Sequence, residues 1–248
     1  MERAELDAYL HQYLDVAKFK DYCPNGLQVE GTDEIERIVT GVTASVELIA
    51  AAIDANAHAV LVHHGYFWRN EDPRVVGVRR RRIGMLIENN INLYAFHLPL
   101  DAHPEIGNNV ELGRRLGFEI EGRSGEQDLI CHGAPDTALT LGELAQRIEE
   151  RLDRKPLVIG DPARVLRRVA WCTGAAQGFL EEAVRLQADA YVTGEISEQT
   201  VHLARESGVA FIAAGHHATE RYGVQALGAH LANRFGIAHR HVDIPNPV

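Results

Sequence analysis

The sequence predicts a layered α/β fold with largely parallel central strands. Residues 35 to 65, IERIVTGVTASVELIAAAIDANAHAVLVHHG, run through an apolar strand, a helix with an apolar face and a second apolar strand. Residues 166 to 196, LRRVAWCTGAAQGFLEEAVRLQADAYVTGEI, repeat this order at an offset of 131 residues. Two copies of a strand–helix–strand pattern favour parallel sheets covered by helices.

The repeat continues beyond these segments. ENNINLYAF, residues 88 to 96, matches ESGVAFIAA, residues 206 to 214, and each copy then enters a helical stretch. We therefore expect two duplicated α/β halves, residues 1–120 and 121–248, which intertwine around a shared centre. The second half opens with polar EGRSGEQD, a short strand in LICHG and a helix in LTLGELAQRIEERL, whose apolar residues recur at helical spacing. AHRHVDIP near the C-terminus alternates and ends at proline, which is typical of an edge strand.

The composition narrows the class of protein. A chain of 248 residues with 46% hydrophobic and 24% charged residues is typical of a globular protein with a sizeable core. Its three cysteines lack a CxxC spacing, which argues against a disulfide framework or a thiolate zinc site, so we expect a cytoplasmic protein. No apolar run reaches the roughly 18 residues of a membrane span. A formal net charge of -10 disfavours nucleic-acid binding, whereas 13 histidines prompt a search for metal ligands.

Polar side chains follow the predicted strands of the first copy. His63 and His64 end the apolar run LVHH, and the strand LYAF leads into HLPLD, where His97 and Asp101 lie four residues apart. The carboxyl ends of parallel strands share one edge of a sheet, so these residues are candidates for a single site. Adjacent side chains of an extended strand diverge, so we expect His63 and His64 to bind one ion each rather than one ion together.

The second copy carries the same chemistry at the equivalent strand end. The strand FIAA leads into GHHATE, where His216 and Glu220 lie four residues apart. A spacing of four at a helix start can bring an imidazole and a carboxylate to one cation. Mixed ligands of these two types suit zinc, manganese, iron or cobalt. The spacing alone does not exclude ordinary loop polarity.

Five segments of the chain share their order and residues with one known family: DYCPNGLQVEG (21–31), VHHGYFW (62–68), HLPLDAHPEIGNN (97–109), WCTGAAQ (171–177) and GHHATERYG (215–223). Together they resemble the Nif-three-like (NGG-one-interacting factor three) family, whose bacterial members are labelled type 2 GTP cyclohydrolase I homologues. The resemblance covers nearly the whole chain. The chain lacks the large central insertion of longer relatives, as the short bacterial branch does.

This resemblance implies a duplicated α/β protein with a dinuclear metal site between its halves, assembled as a ring-shaped homohexamer. It implies two divalent cations per subunit, zinc, manganese, iron or cobalt, and it places the ligands at His63, His64, Asp101, His216 and Glu220. His97 is not among the family's ligands. We therefore expect His97 to contact one of the metal-binding residues or the substrate. In that position it could carry protons.

Two divalent ions point to hydrolysis. The family label implies attack of water at C8 of the guanine ring of GTP, with opening of the imidazole ring and release of formate. The chain contains neither NKxD nor a Walker loop, so GTP is the leading substrate rather than an established one. Two alternatives stay open: a phosphoester or other small-molecule hydrolase that uses the same centre, and a metal-stabilised interaction or regulatory protein without catalysis.

Several other motifs have a structural interpretation beside a functional one. The run Arg79 to Arg82 is a solvated helix start, or a site for substrate phosphates or another subunit. PNGLQ predicts a turn at Asn25 and Gly26, although the family motif suggests that it faces the cleft. TGAAQ is a strand-to-helix turn and a weak anion site. We expect structural or surface roles for His58, Cys131, His132, His202, His230, His239 and His241.

Overall fold

The computed structural model describes residues 1–248. Nine α-helices occur: α1 Arg3–Tyr13, α2 Val46–Asp54, α3 Gly77–Glu88, α4 Leu98–Ala102, α5 Asn108–Leu116, α6 Leu141–Leu152, α7 Leu180–Arg185, α8 Glu198–Ser207 and α9 His216–Phe235. Thirteen strands occur: β1 Gly26–Val29, β2 Arg37–Thr43, β3 Ala59–His64, β4 Asn92–Ala95, β5 Phe118–Ser124, β6 Ile130–Pro135, β7 Leu139–Thr140, β8 Leu157–Ile159, β9 Val165–Leu166, β10 Val169–Trp171, β11 Ala190–Thr193, β12 Ala210–Ala213 and β13 Ala238–His241.

The first compact unit consists of Met1–Leu100 and Gly223–Pro245. Its five-stranded sheet has the order β1-β4-β3-β2-β13. Strands β13, β2, β3 and β4 run parallel, and β1 is antiparallel to β4 at one edge. The carboxyl ends of β3 and β4 therefore lie side by side, which places the residues that follow these two strands at one edge of the sheet.

Apolar periodicity explains the packing of this unit. Helix α2 begins at Ser45, whose Oγ accepts a hydrogen bond from the Leu48 amide at 3.2 Å, the usual arrangement of an N-terminal cap. The helix buries Leu48, Ile49 and Ala52 in a core that also contains residues from β2, β3 and β4. Strand β3 is buried on both faces up to His63, which is why its sequence is a continuous apolar run.

The second compact unit consists of Asp101–Tyr222 and Asn246–Val248. Its six-stranded sheet has the order β5-β6-β10-β11-β12-β8, and a separate two-stranded sheet pairs β7 with β9. Strands β10, β11 and β12 are parallel, while β6 and β8 flank them in antiparallel orientation. The carboxyl ends of the three parallel strands share one edge, as in the first unit.

Helix α6 and Trp171 define the core of the second unit. The helix starts with a capping box, in which Thr140 and Glu143 satisfy each other's backbone amides. It buries Leu144 and Ile148 at the spacing of successive helical turns. The fully buried Trp171 donates its indole N–H to the carbonyl of Asn109 at 2.8 Å, so the polar end of this large side chain is satisfied.

The predicted α/β class is confirmed, as are the strand in LICHG, the helix in LTLGELAQRIEERL and the C-terminal edge strand. The compact units differ from a simple division at residue 120, because the chain leaves the first unit after Leu100 and returns to it at Gly223. The division into duplicated sequence halves, 1–120 and 121–248, stays a prediction. No helix is both long and apolar enough to cross a membrane.

Candidate metal centre

Three histidines cluster at the carboxyl edge of the first unit's sheet. His63 and His64 end β3, and His97 follows β4, its parallel neighbour. One potential donor atom from each of these histidines lies within 4.8 Å of those of the other two. The ring centroids of His63 and His64 are 4.6 Å apart, so the two adjacent side chains diverge less than we expected for an extended strand. The assignment of one ion to each histidine stays a prediction.

Hydrogen bonds fix how His63 is presented. Its Nδ1 lies 2.9 Å from the carbonyl oxygen of Phe96, which can only accept, so Nδ1 is the donor in this hydrogen bond. The Nδ1 of His64 lies 3.3 Å from the hydroxyl of Thr43. Outer partners on one ring nitrogen are the usual way in which proteins orient a histidine that ligates a metal through the other.

His97 is held by a carboxylate that the sequence analysis did not single out. Its Nδ1 lies 2.7 Å from Oδ1 of Asp21, whose side chain is 4% exposed. The second oxygen of Asp21 accepts from the amide of Leu98 at 2.9 Å and from the side chain of Asn25 at 2.8 Å. Burial alone would raise the pKa of Asp21, but the hydrogen bond and the charge of His97, with the other donors, lower it to about 2. Asp21 is therefore a fixed anion behind His97.

Cys23 lies close to the same pair. A donor atom of each of Asp21, Cys23 and His97 lies within 4.8 Å of the others. Burial, with a contribution from the charge of Asp21, raises the pKa of the Cys23 thiol to about 12. A thiol that stays protonated is a poor ligand and a poor nucleophile, so this cysteine fits a packing role.

The second unit contains its own cluster, at the carboxyl edge of β11 and β12. His216 begins α9, and its Nδ1 lies 2.7 Å from Oε1 of Glu195, while its Nε2 lies 3.1 Å from Oε2 of Glu220. Burial lowers the pKa of His216, but the hydrogen bonds and charges of Glu220 and Glu195 outweigh it and raise the pKa to about 9. One imidazole between two carboxylates is an arrangement that favours a positive charge, either a proton or a metal ion.

Gly174, in the loop after β10, leaves space for these side chains. It has a φ of +72°, and a Cβ placed on it would lie 3.3 Å from Nε2 of His216 and in steric overlap with Oε1 of Glu220. Any other residue would therefore be strained in its backbone and would press on both side chains. The Gly174 amide donates to the hydroxyl of Thr219 at 3.0 Å, which ties this loop to the first turn of α9.

Asp101, in α4, is the second buried carboxylate of this unit, with 6% of the residue exposed. Its Oδ1 accepts from the side-chain amide of Asn108 at 2.9 Å and from the hydroxyl of Thr173 at 3.2 Å. Asn109 donates to the Asp101 carbonyl at 3.2 Å and accepts from the Thr173 amide at 2.9 Å. These bonds fix the orientation of the carboxylate.

The donor chemistry of both clusters fits divalent cations. The candidates are histidine imidazoles whose Nδ1 is engaged by an outer partner and carboxylates that are almost wholly buried. Buried carboxylates are costly unless they are paired or coordinate a metal. Nitrogen and oxygen donors without thiolates match zinc, manganese, iron and cobalt rather than softer ions.

The family resemblance of the sequence predicts five metal ligands: His63, His64, Asp101, His216 and Glu220. The structure places the first two in the cluster of the first unit and the last three in the second unit, where His216 and Glu220 are in contact. Their role as ligands stays a prediction.

Sequence reasoning missed the roles of Asp21 and Glu195. A signal existed for Glu195, because the repeat aligns it with His64 at the offset of 131 residues. Asp21 lies in the DYCPNGLQVEG segment, of which we considered only the turn.

A family model described as Duf34/NIF3 (NGG1p interacting factor 3) matches residues 1–247. The chain belongs to this family. The match extends over both compact units, so the residues of both donor clusters lie within the region that the family model matches.

Two bacterial proteins are similar to this chain over all or nearly all of their length. A protein of Pseudomonas aeruginosa is 54% identical over 239 residues, which cover 95% of this chain and 94% of the relative. A protein of Escherichia coli K12 is 49% identical over 248 residues, and the match covers both chains completely. Both relatives are named GTP cyclohydrolase 1 type 2 homolog.

Solved structures of family-like proteins share the fold. Protein ybgI, described as of unknown function, superposes with a TM-score of 0.97 at 49% identity, and the match covers 100% of both chains. A crystal structure of a protein from Thermus thermophilus has a TM-score of 0.90 at 36% identity, again with both chains fully covered.

Proposed function

We propose that the chain is a hydrolase that depends on two divalent cations. The five proposed ligands are imidazoles and carboxylates at strand ends or in helices: His63, His64, Asp101, His216 and Glu220. Family resemblance is the basis for assigning them to one dinuclear centre in a duplicated chain. The observation that carries the metal assignment is that Nδ1 of both His63 and His216 is engaged by an outer oxygen, so Nε2 is the nitrogen that would coordinate a cation.

His97 is proposed as the proton carrier, positioned by Asp21. Two bound ions would supply Lewis acidity and would lower the pKa of a bound water toward neutrality. The anionic Asp21 accepts a hydrogen bond from Nδ1 of His97, so Nε2 is the nitrogen that would exchange protons with the substrate. Asn25 fixes the backbone of His97 by accepting from its amide at 2.7 Å. His97 can therefore take up and return a proton without changing position.

GTP is the leading substrate, supported by the names of the Pseudomonas and Escherichia relatives. The test is an assay of formate and phosphate release from GTP and a panel of other nucleotides, with the protein reconstituted in turn with zinc, manganese and iron(II). Formate from GTP supports the cyclohydrolase reaction. Phosphate without formate supports a phosphoester hydrolase instead, and no product with any metal favours the noncatalytic alternative.

The role of His97 is tested with His97→Gln. We expect kcat to fall by about 10²- to 10⁴-fold, the usual contribution of general acid–base catalysis, while two metal equivalents are retained. Asp21→Asn should change the pH profile of kcat because it removes the anion from His97. His202→Gln, an exposed histidine on α8, is the control and should leave kcat unchanged. Unchanged turnover in His97→Gln would refute the proton-carrier role.

The division of the metals is tested with His63→Ala and His64→Ala. Each variant should fold and should lose a different equivalent in elemental analysis. If both variants lose the same equivalent and retain the other, the assignment of one ion to each histidine is wrong.

The family also implies assembly with copies of itself, and we propose a ring-shaped hexamer in the cytoplasm. Light scattering after size-exclusion chromatography should give six times the mass of the chain, and a monomer mass would contradict it.

A further inference from the structure

A cleft of about 490 Å³ opens in the first unit beside the histidine pair. We call it the arginine cleft; it is lined among others by His64, Trp68, Arg74, Arg79 and Arg82. Neither the proposed ligand set nor the proton carrier uses its cationic side. Trp68 also lines the cleft, and its ring centroid lies 5.9 Å from that of His64 and 4.9 Å from that of His97.

Arg82 differs from the other arginines of the cleft. Arg74 forms an ion pair with Asp72 at 2.6 Å, and Arg79 forms one with Glu71. Arg82 is only partly exposed, its Nε is buried without a hydrogen-bond partner, and no carboxylate pairs with it. The cleft therefore has one guanidinium more than it has carboxylates.

A partly buried guanidinium without a partner is costly in a protein, and an anion offsets the cost. Its planar donor fork matches phosphate geometry, which makes arginine the residue of choice for binding phosphate. Arg82 thus has the chemistry of an anion-binding residue, and no group of the chain itself fulfils that role.

The start of α3 adds to the preference for an anion. Val76 precedes the helix without a side-chain cap, and no acidic residue occurs in the first turn. Val76 and Val78 line the cleft, so the uncapped amino end of this 12-residue helix borders it. Amide groups at such an end and the helix dipole both favour a negative charge. The arginines from Arg79 onward instead place positive charge near the amino end of α3, and a bound anion would offset this charge.

We propose that the arginine cleft binds the phosphoryl group of the substrate, with Arg82 as its principal ligand. The substrate is then a phosphorylated molecule, and a flat ring beside Trp68 would place its reactive atom toward His64. This inference rests on the proposed hydrolase in assigning the bound anion to a substrate. It deepens that proposal by naming the cleft and the residue that would hold the phosphoryl group of the substrate.

The test is isothermal titration of metal-free protein with GTP, with inorganic pyrophosphate and with uncharged guanosine. In Arg82→Gln, loss of a charge-assisted contact should weaken GTP and pyrophosphate binding by about 10- to 100-fold. Arg82→Lys keeps the charge without the fork and should weaken them less. Arg81→Gln, an exposed neighbour on the same helix, is the control for net charge and should bind within about twofold of wild type.

Equal affinities in Arg82→Gln and Arg81→Gln would overturn the inference, as would GTP that binds no tighter than guanosine. If Arg82→Gln does not fold, as judged by circular dichroism, Arg82→Lys decides: wild-type affinity for pyrophosphate in that variant also overturns it. The titrations contain no metal, so a failure of the dinuclear hydrolase does not affect them. If Arg82→Gln keeps normal metal loading and turnover and also binds GTP and pyrophosphate as wild type does, the phosphate-binding role of the arginine cleft is rejected. The proposed hydrolase is not affected by that result.

Discussion

Substitution of Gly174 by alanine tests whether the second unit's donors need the space beside them. The left-handed backbone at φ +72° costs an L-residue about 1–2 kcal/mol. The new Cβ also overlaps Oε1 of Glu220, which is 2% exposed and has little room to move, and such overpacking costs about 1–3 kcal/mol. We therefore expect Gly174→Ala to destabilise the protein by about 2–5 kcal/mol.

Calorimetry on metal-free protein measures this effect without interference from metal loss. At about 2–4 °C per kcal/mol for a chain of this size, the Tm should fall by at least about 4 °C. Zinc retained after dialysis should also fall, because the carboxylate of Glu220 is displaced. Gly178→Ala is the matched control: a Cβ there meets nothing within 4 Å, and its Tm should stay within about 2 °C of wild type. If Gly174→Ala has the same Tm as wild type and retains its zinc, the reasoning is refuted.

Three further results are expected. Glu220→Gln should lose both metals on dialysis, because a bridging carboxylate offsets the charge of both ions. His217→Ala should keep two, because His216, not its neighbour His217, has the spacing of four residues to the carboxylate that His97 and Asp101 show in the first copy. Elemental analysis with circular dichroism measures both, and metal loss from folded His217→Ala would contradict the choice of His216. Thr140→Ala removes the capping box of α6 and should lower the free energy of unfolding by about 1 kcal/mol in urea titrations, and an unchanged midpoint would exclude the cap as a stabilising element. Burial raises the pKa of Cys131 to about 11 and that of Cys172 well above its ordinary range, so a disulfide reagent at pH 8 should modify them only in denaturant, and rapid reaction of the native protein would contradict their burial.

Local patterns in the sequence were sufficient to predict the elements that they encode directly. The spacing of Leu144 and Ile148 predicted α6, and the apolar run up to His63 predicted a buried strand with a polar end. These predictions succeed because side-chain period and burial are properties of a short segment. The α/β class followed from the order of such segments.

Contacts between distant segments were not predictable in this way. Asp21 and His97 lie 76 residues apart in sequence, and no local periodicity links them. The return of the chain to the first unit at Gly223 is similar, because α9 is one continuous helix from His216 to Phe235 and its sequence does not show where one compact unit ends. The unpartnered Arg82 also needed the structure, since its sequence neighbours are equally basic and only packing distinguishes it.

The central claim, that two divalent ions bind to the five proposed ligands, is tested most directly by anomalous diffraction from crystals of the zinc-loaded protein. We expect two anomalous peaks about 3.5–4 Å apart. Each should lie about 2.0–2.2 Å from a nitrogen of His63, His64 or His216, with Glu220 in reach of both. A single peak, or peaks bound to other residues, would contradict it.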